Sequence, residues 1–318
     1  MFIDHAGREA VISYGSLMLE LLDDLVDLWK AAGSVANDFD VAAWVGEMVA
    51  IEARVASGEL SRDVADEQRD ALRAQLPLLG KSAFLVPVGA GGLSSGIFAA
   101  AKMLHPDATV IGVMTERTSS MYDSVKAARI RPARDTQEVY SEDGIKTGAV
   151  EQMALDVHVR LADAEVVVPH GRVPDGVRAH YHEAGLISEG ASVLPYLALQ
   201  LPAIGGLLHS RGAQDVVLLS TGSNVDYDRW QAMLDAQQPG WLLRAGEWLR
   251  RSPTSVGRVG GPRAMLPLLR SFAAWLWSLR GAAAWLVARG RLLNPRSTPR
   301  LPWFDRTMRS RALVGRAS

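Results

Sequence analysis

Leu17, Leu21, Leu25 and Leu28 recur at helical spacing, with Asp23, Asp24 and Asp27 off the stripe, and predict a helix over 14–29. Val41, Trp44, Val45, Met48 and Val55 form the next stripe, which Asn37 or Asp38 can cap. Ala56-Ser57-Gly58 breaks it, and Ser61 can cap a further helix to about Leu76. Residues 38–79 therefore read as a helical hairpin. At Phe84 the texture changes to short strand-like runs that alternate with helical patterns. The runs are Phe84–Val88, Val110–Val113, Glu165–Val168 and Asp215–Leu219. Helices are predicted from the glycine cluster to about Met103, over 119–128, over 174–184 and after Glu189. Strands alternating with helices predict an α/β fold with a mainly parallel, doubly wound sheet.

Composition is ordinary for a globular chain, with 48% hydrophobic and 22% charged residues. The absence of cysteine excludes disulfides, zinc–thiolate sites and thiol catalysis, and favours the cytoplasm. The start, Met-Phe-Ile-Asp-His, lacks the basic-then-apolar order of a secretion signal. The net charge of −1 hides an asymmetry: 241–318 holds fifteen arginines, no lysine and only Glu247 and Asp305 as acids, hence +13 there and −14 over 1–240. This divides the chain into an α/β region over 1–238 and a basic Arg/Trp-rich tail over 239–318, helical or disordered. The tail fits a segment lying on a membrane surface or a partner, an unfolded segment, or a shifted reading frame in GC-rich DNA. A spanning helix fits poorly, because Arg280 interrupts the best apolar window.

The candidate chemistry sits where the first apolar run ends. Gly89-Ala90-Gly91-Gly92-Leu93 leads from a strand into a helix, and such a turn offers backbone amides and a helix dipole to a phosphate. A dinucleotide is one ligand class: Gly89, Gly91 and Gly96 approximate the Rossmann fingerprint, and Glu116 follows the next strand where a ribose-binding acid belongs. Against it, Ser94 stands where the third glycine is expected, and Pro87 lies in the strand.

Pyridoxal 5'-phosphate (PLP) is the second class. Phe84–Met114 resembles the strand, glycine loop, helix and "IGV" strand of the fold-type II PLP-dependent enzymes of the threonine dehydratase and serine racemase kind. Ser120-Met121-Tyr122, Glu142-Asp143-Gly144-Ile145, Glu189-Gly190-Ala191-Ser192 and Ser220–Asp226 resemble that family's later landmarks in order. Val11–Leu17 is similar to its earlier "VIAGQGT" helix start. Ordered landmarks over some two hundred residues (about Phe2 to Asp226) are more specific than any single motif. The resemblance is to the carboxy-terminal half of the family. It implies the fold of the family's large domain, with 38–79 as a helical insertion.

The resemblance also implies roles. Gly89, Ala90, Gly91, Gly92 and Leu93 would hold the cofactor phosphate; Ala90, in place of a glycine, requires a negative φ. Thr221 would hydrogen-bond the pyridine nitrogen, Glu189 would lie beside the ring, and Asn224 would fix the loop. Plain readings stand beside these: a hydroxyl closing a turn at Thr221, and an acid favoured by a helix N-terminus at Glu189. Glu116 matches one ligand of the family's divalent-cation site, but Tyr122 stands where a carboxylate belongs, so no metal is expected. The scattered histidines read as surface or core residues, and His180 and His182, two apart on a helix, cannot share a ligand.

The family's Ser-Phe-Lys-x-Arg-Gly segment, which carries the Schiff-base lysine, does not occur here, nor does its Ser-x-Gly-Asn-His loop. Of the lysines, Lys30, Lys81, Lys102 and Lys126 fall away from the motifs, and Lys146 alone falls in a loop bordering the expected site. The implied function is a PLP-dependent ammonia-lyase-like protein for threonine or serine, incomplete or split and inactive alone. The alternatives are a non-catalytic relic or partner-binding subunit, and a nucleotide-binding Rossmann protein. The expected partners are a small amino acid and, through 38–79, another polypeptide or a second copy. Nucleic acid is not expected.

Overall fold

The computed structural model describes residues 8–133, 142–235 and 311–316, the last by backbone alone. The elements in order are α1 (Arg8–Ala31), α2 (Val41–Ala56), α3 (Arg62–Arg73), β1 (Ser82–Pro87), α4 (Gly92–Leu104), β2 (Thr109–Thr115), α5 (Ser120–Ala127), α6 (Gln152–Leu161), β3 (Ala164–Val168), α7 (Val173–Ala184), α8 (Leu194–Leu199), α9 (Pro202–Ser210), β4 (Asp215–Ser220), α10 (Tyr227–Asp235) and β5 (Arg311–Arg316). The sheet order is β3-β2-β1-β4-β5. The pairs β3/β2, β2/β1 and β1/β4 are parallel, and β5 adds antiparallel to β4. The apolar runs of the sequence are thus the four parallel strands of an α/β fold.

The sheet is buried on both faces, which is why its central strands read as unbroken apolar runs. β1 alternates by face: Phe84 and Val86 join one core with Met18, Leu22, Leu25, Met48, Ile97 and Phe98, while Ala83 and Leu85 join another with Val177, Leu194, Leu197 and Trp230. A smaller cluster of Val88, Met114, Met121, Ala154 and Leu155 lies beyond the end of β1. α1 crosses α4 at two glycines. A Cβ placed on Gly96 would stand 2.7 Å from the Gly15 nitrogen and 2.8 Å from Tyr14 Cβ, so a larger residue there would push the helices apart.

Three local readings change. The helix expected over 14–29 begins at Arg8, and its buried face is Met18, Leu21, Leu22, Leu25, Val26 and Trp29, while Leu28 is exposed. Trp29 takes the seam because its indole Nε1–H donates to the buried Asp215 Oδ2 at 2.9 Å, which satisfies a polar group that would otherwise bar it from the core. The cap of α2 is Asp40, whose carboxylate accepts from the Ala43 amide at 3.0 Å, and not Asn37 or Asp38. Phe39, just before it, packs on Trp44 with ring centroids 6.5 Å apart, a hydrophobic staple that sets where the helix starts. Ser61 caps α3 through the Val64 amide. The third change concerns the tail: its described residues, Arg311–Arg316, form an edge strand, not a helix or disordered chain. The rest of the tail, with Arg270, Arg280, Arg289 and any membrane contact, lies outside the described residues.

In the hairpin of α2 and α3, Trp44 and Met48 are buried in the core of α1, α4 and β1, with Val41, Val45 and Val55 packed against it. The Trp44 Nε1–H donates to the Leu72 carbonyl at 2.9 Å and ties the two helices. These apolar residues are spent within the chain, so association through 38–79 would have to use the outward faces of the hairpin. Among the described residues no single helix is long and apolar enough to cross a membrane.

Candidate cofactor site

Parallel strands bring every family landmark after a strand to one edge. The chain runs outward from β1 through β2 to β3 and then returns to β4 on the other side of β1, so the strand order reverses between β1 and β4, and the crevice beyond their carboxyl ends is the usual ligand position in an open α/β sheet. Gly89–Leu93 follow β1 and Thr221–Asp226 follow β4, so both line that crevice.

Gly91 caps α4 with φ 98°, a left-handed conformation that glycine adopts without a Cβ penalty. Ala90 is outside that region, as its substitution for glycine requires: Ala128 is the one non-glycine with positive φ among the described residues. Val88 still donates to Val113 of β2 at 2.8 Å, but among the described residues nothing accepts from the amides of Gly89 to Leu93. Free amides at the start of a thirteen-residue helix suit an anion by hydrogen bonding and by the helix dipole. The packing behind the turn is tight. A Cβ on Gly91 would stand 2.6 Å from Met121 Cε and 2.7 Å from Ala154 Cβ, and one on Gly89 would stand 3.0 Å from Ile145 Cα.

The turn at 143–145 links the two ends of the site: Ile145 meets Gly89, and a Cβ on Gly144 would stand 2.7 Å from Glu189 Oε1. Glu189 also lies over Gly222, whose missing side chain leaves room for its carboxylate. The Ser192 hydroxyl accepts from the Gly222 amide at 2.6 Å and donates to the Gly222 carbonyl at 2.8 Å, and the Glu189 amide donates to that carbonyl at 3.1 Å. Glu189 and the loop after β4 are thus one unit. Thr221 is half-buried at the end of β4, next to this clamp, and no described residue takes its hydroxyl. Asn224 is exposed. The residues present fit the cofactor at both ends: unpaired amides for the phosphate, and an available hydroxyl for a ring nitrogen.

Glu116 accepts the His170 amide at 2.5 Å and is engaged in pinning the turn after β3. Among the described residues no three His, Cys, Asp or Glu side chains come together to hold a metal ion. Lys102 is tied to Asp163 at 2.8 Å, and Lys126 lies 5.3 Å from the centre of the Tyr122 ring. Lys146 is half-buried and follows directly on Ile145, so by position it borders the cup. Two polar groups here had no role assigned from the sequence. Glu142, fully buried, accepts from the Thr115 hydroxyl at 2.6 Å and lies 2.9 Å from His170 Nδ1. Beneath the glycine turn, His158 places Nε2 2.8 Å from Ser94 Oγ and Nδ1 2.5 Å from Glu165 Oε1. Only the buried spacing of a histidine within α6 hints at it. Elsewhere, burial pushes His180 down to about 4, and burial followed by the charge of Glu183 pushes Tyr196 up to about 12.

Residues 62–222, half of the chain, match the family described as pyridoxal-phosphate dependent enzymes, and the chain belongs to it. It is 31% identical over 142 residues to a putative threonine dehydratase of Sinorhizobium fredii, covering 45% of this chain and 41% of that protein. It is 26% identical over 190 residues to the L-threonine ammonia-lyase of Thermotoga maritima, covering 60% and 44%. Among solved structures it is similar to the processed form of threonine deaminase isoform 2 of Solanum lycopersicum (22% identity, 53% of this chain and 47% of that one, TM-score 0.42). It is also similar to serine racemase of Dictyostelium discoideum (22%, 50% and 49%, TM-score 0.40). The chain spans about two fifths of the length of the curated relatives it matches. Pyridoxal phosphate is the cofactor of this family.

Proposed function

We propose that this chain is a threonine or serine ammonia-lyase-like protein that carries the phosphate and pyridine contacts for PLP but not the Schiff-base lysine, and that it is inactive alone. The observation that carries this reading is the pairing of unclaimed amides at Gly89–Leu93 with the Glu189–Gly222 clamp and Thr221 in one crevice. The amides and the α4 dipole bind the phosphate dianion. Thr221 donates its hydroxyl to the ring nitrogen and, being neutral, does not protonate it. That favours elimination and racemisation over transamination, because the ring is then a weaker electron sink. The cofactor supplies that sink for charge developing at the substrate Cα; the base that takes the Cα proton is the missing lysine. We place the protein in the cytoplasm, on its lack of cysteine.

The partner implied is a polypeptide that contributes a lysine, with a small hydroxy amino acid as substrate. A non-catalytic binding subunit is the second reading, favoured by the same missing lysine. Purified full-length chain is assayed for keto-acid and ammonia release from threonine and serine with added PLP. No turnover is expected. Turnover that vanishes in Lys146→Ala would place the lysine at 146 and overturn the reading of an incomplete enzyme.

A further inference from the structure

The glycine turn rests on a buried polar chain that the proposed function does not use. Ser94 and His158 are each 1% exposed, and the Glu165 side chain is 6% exposed. Three elements meet here: Ser94 on α4, His158 on α6 and Glu165 on β3. Glu165 stands directly opposite Gly112 of β2 in the sheet register, and the missing side chain at Gly112 is what admits its carboxylate. The other neighbours of the imidazole are apolar or neutral: the Phe98 ring, 4.9 Å away between centroids, and Gly91, where a Cβ would stand 3.8 Å from Nε2.

Proton accounting orients the chain. Ser94 Oγ reaches both the Gly91 carbonyl at 3.2 Å and His158 Nε2 at 2.8 Å, but it has one proton to give. If that proton goes to Gly91, then Nε2 must carry a hydrogen and donate to Ser94, and every contact is satisfied. Glu165 Oε2 has no partner among the described residues, so Nδ1 is the one group that can balance this carboxyl. A lone buried charge is costly, so the pair is electroneutral, with one proton between Nδ1 and Oε1 and a second on Nε2.

We propose that His158, held by Glu165, is a positioning residue for phosphate binding, acting through Ser94 on the Gly91–Gly92 peptide. The Gly91 carbonyl accepts from the Ser95 amide at 2.9 Å and from Ser94 Oγ, so it is drawn into α4. In a trans peptide the following N–H points the opposite way, so the same bonds turn the Gly92 amide out toward the anion. Without His158 the Ser94 hydroxyl is free to rotate off the carbonyl, and the Gly91–Gly92 peptide loses one of its restraints. This inference rests on the reading that Gly89–Leu93 hold the cofactor phosphate.

The test uses the full chain and two probes without an aldehyde, pyridoxine 5'-phosphate and pyridoxine, so that no lysine chemistry intervenes. Calorimetry on Ser94→Ala and His158→Gln should show the phosphorylated probe bound about tenfold more weakly, the worth of roughly one hydrogen bond to a charged group, with pyridoxine affinity unchanged. Equal losses for both probes, or none, overturn the inference while leaving the cofactor reading intact. Failure of the unmodified chain to bind pyridoxine 5'-phosphate overturns both. Nitrogen-15 NMR of labelled histidine in the unmodified chain gives a readout that does not depend on the variants folding. A proton on His158 Nε2 is expected, and a bare Nε2 refutes the orientation of the chain.

Discussion

Gly91 carries two roles that one substitution can separate. Its backbone belongs to the phosphate turn, while its side-chain position faces Met121 and Ala154, at 2.6 and 2.7 Å from a Cβ placed there. Gly91→Ala therefore adds a methyl to the packing behind the turn and forces an L-residue to φ 98°. The backbone term costs about 1–2 kcal/mol, by analogy with the left-handed helical region. Overpacking adds about 1–3 kcal/mol: Met121 Cε ends a flexible chain and can swing away, but Ala154 Cβ cannot. Urea unfolding should show Gly91→Ala less stable by about 2–5 kcal/mol. Adding Ala154→Gly should recover about 1 kcal/mol or more as a coupling between contacting sites, after the intrinsic cost of glycine in a helix is subtracted. Stability equal to that of the parent, or strict additivity of the two changes, would refute the geometry of the turn.

Other expectations follow from particular contacts. His180 is held down to about 4 by burial, so it folds neutral and the unfolded chain takes up the proton first. Its contribution is fully present above the ordinary histidine value of 6.5 and falls away as pH drops from there to about 4, by about 3 kcal/mol in all. The slope of stability against pH over that window should flatten in His180→Phe, and an unchanged slope would assign the loss to carboxylates. Asp40→Ala removes the side-chain acceptor for the Ala43 amide and should cost about 1 kcal/mol in thermal or urea unfolding, with Asp40→Asn near neutral. Truncation after Gln238 deletes β5 but leaves the four parallel strands β1 to β4 and the helices packed on them. The shortened chain should keep a cooperative thermal transition, and its insolubility would make the edge strand part of the fold.

How much could be read ahead depends on the range of the contacts. β1, β2 and β4 were legible because strands covered on both faces have apolar interiors, with polar residues such as Ser82, Thr109 and Asp215 confined to their ends, and the glycine turn was legible because its residues are adjacent in sequence. α6 was not. Its buried face uses Ala154, Leu155 and His158, so a histidine occupies a core position and breaks the apolar stripe. That histidine is acceptable only because Ser94, 64 residues away, and Glu165 on β3 complete its hydrogen bonds. The choice of Asp40 over its neighbours as a cap was settled by Phe39 meeting Trp44, and Leu28 lost its place to Trp29 through Asp215 across 186 residues. In the site, the landmarks were readable in order, but the Glu189–Gly222 clamp and the Glu142–Thr115–His170 cluster needed the sheet to bring them together.

The central claim is a phosphate cup without its lysine, and borohydride reduction of the full chain in the presence of PLP, followed by peptide mass mapping, tests it most directly. The account predicts saturable binding of PLP, displaced by pyridoxine 5'-phosphate, with no stoichiometric label fixed on any one lysine. A single lysine labelled one-to-one and protected by pyridoxine 5'-phosphate, Lys146 above all, would contradict it.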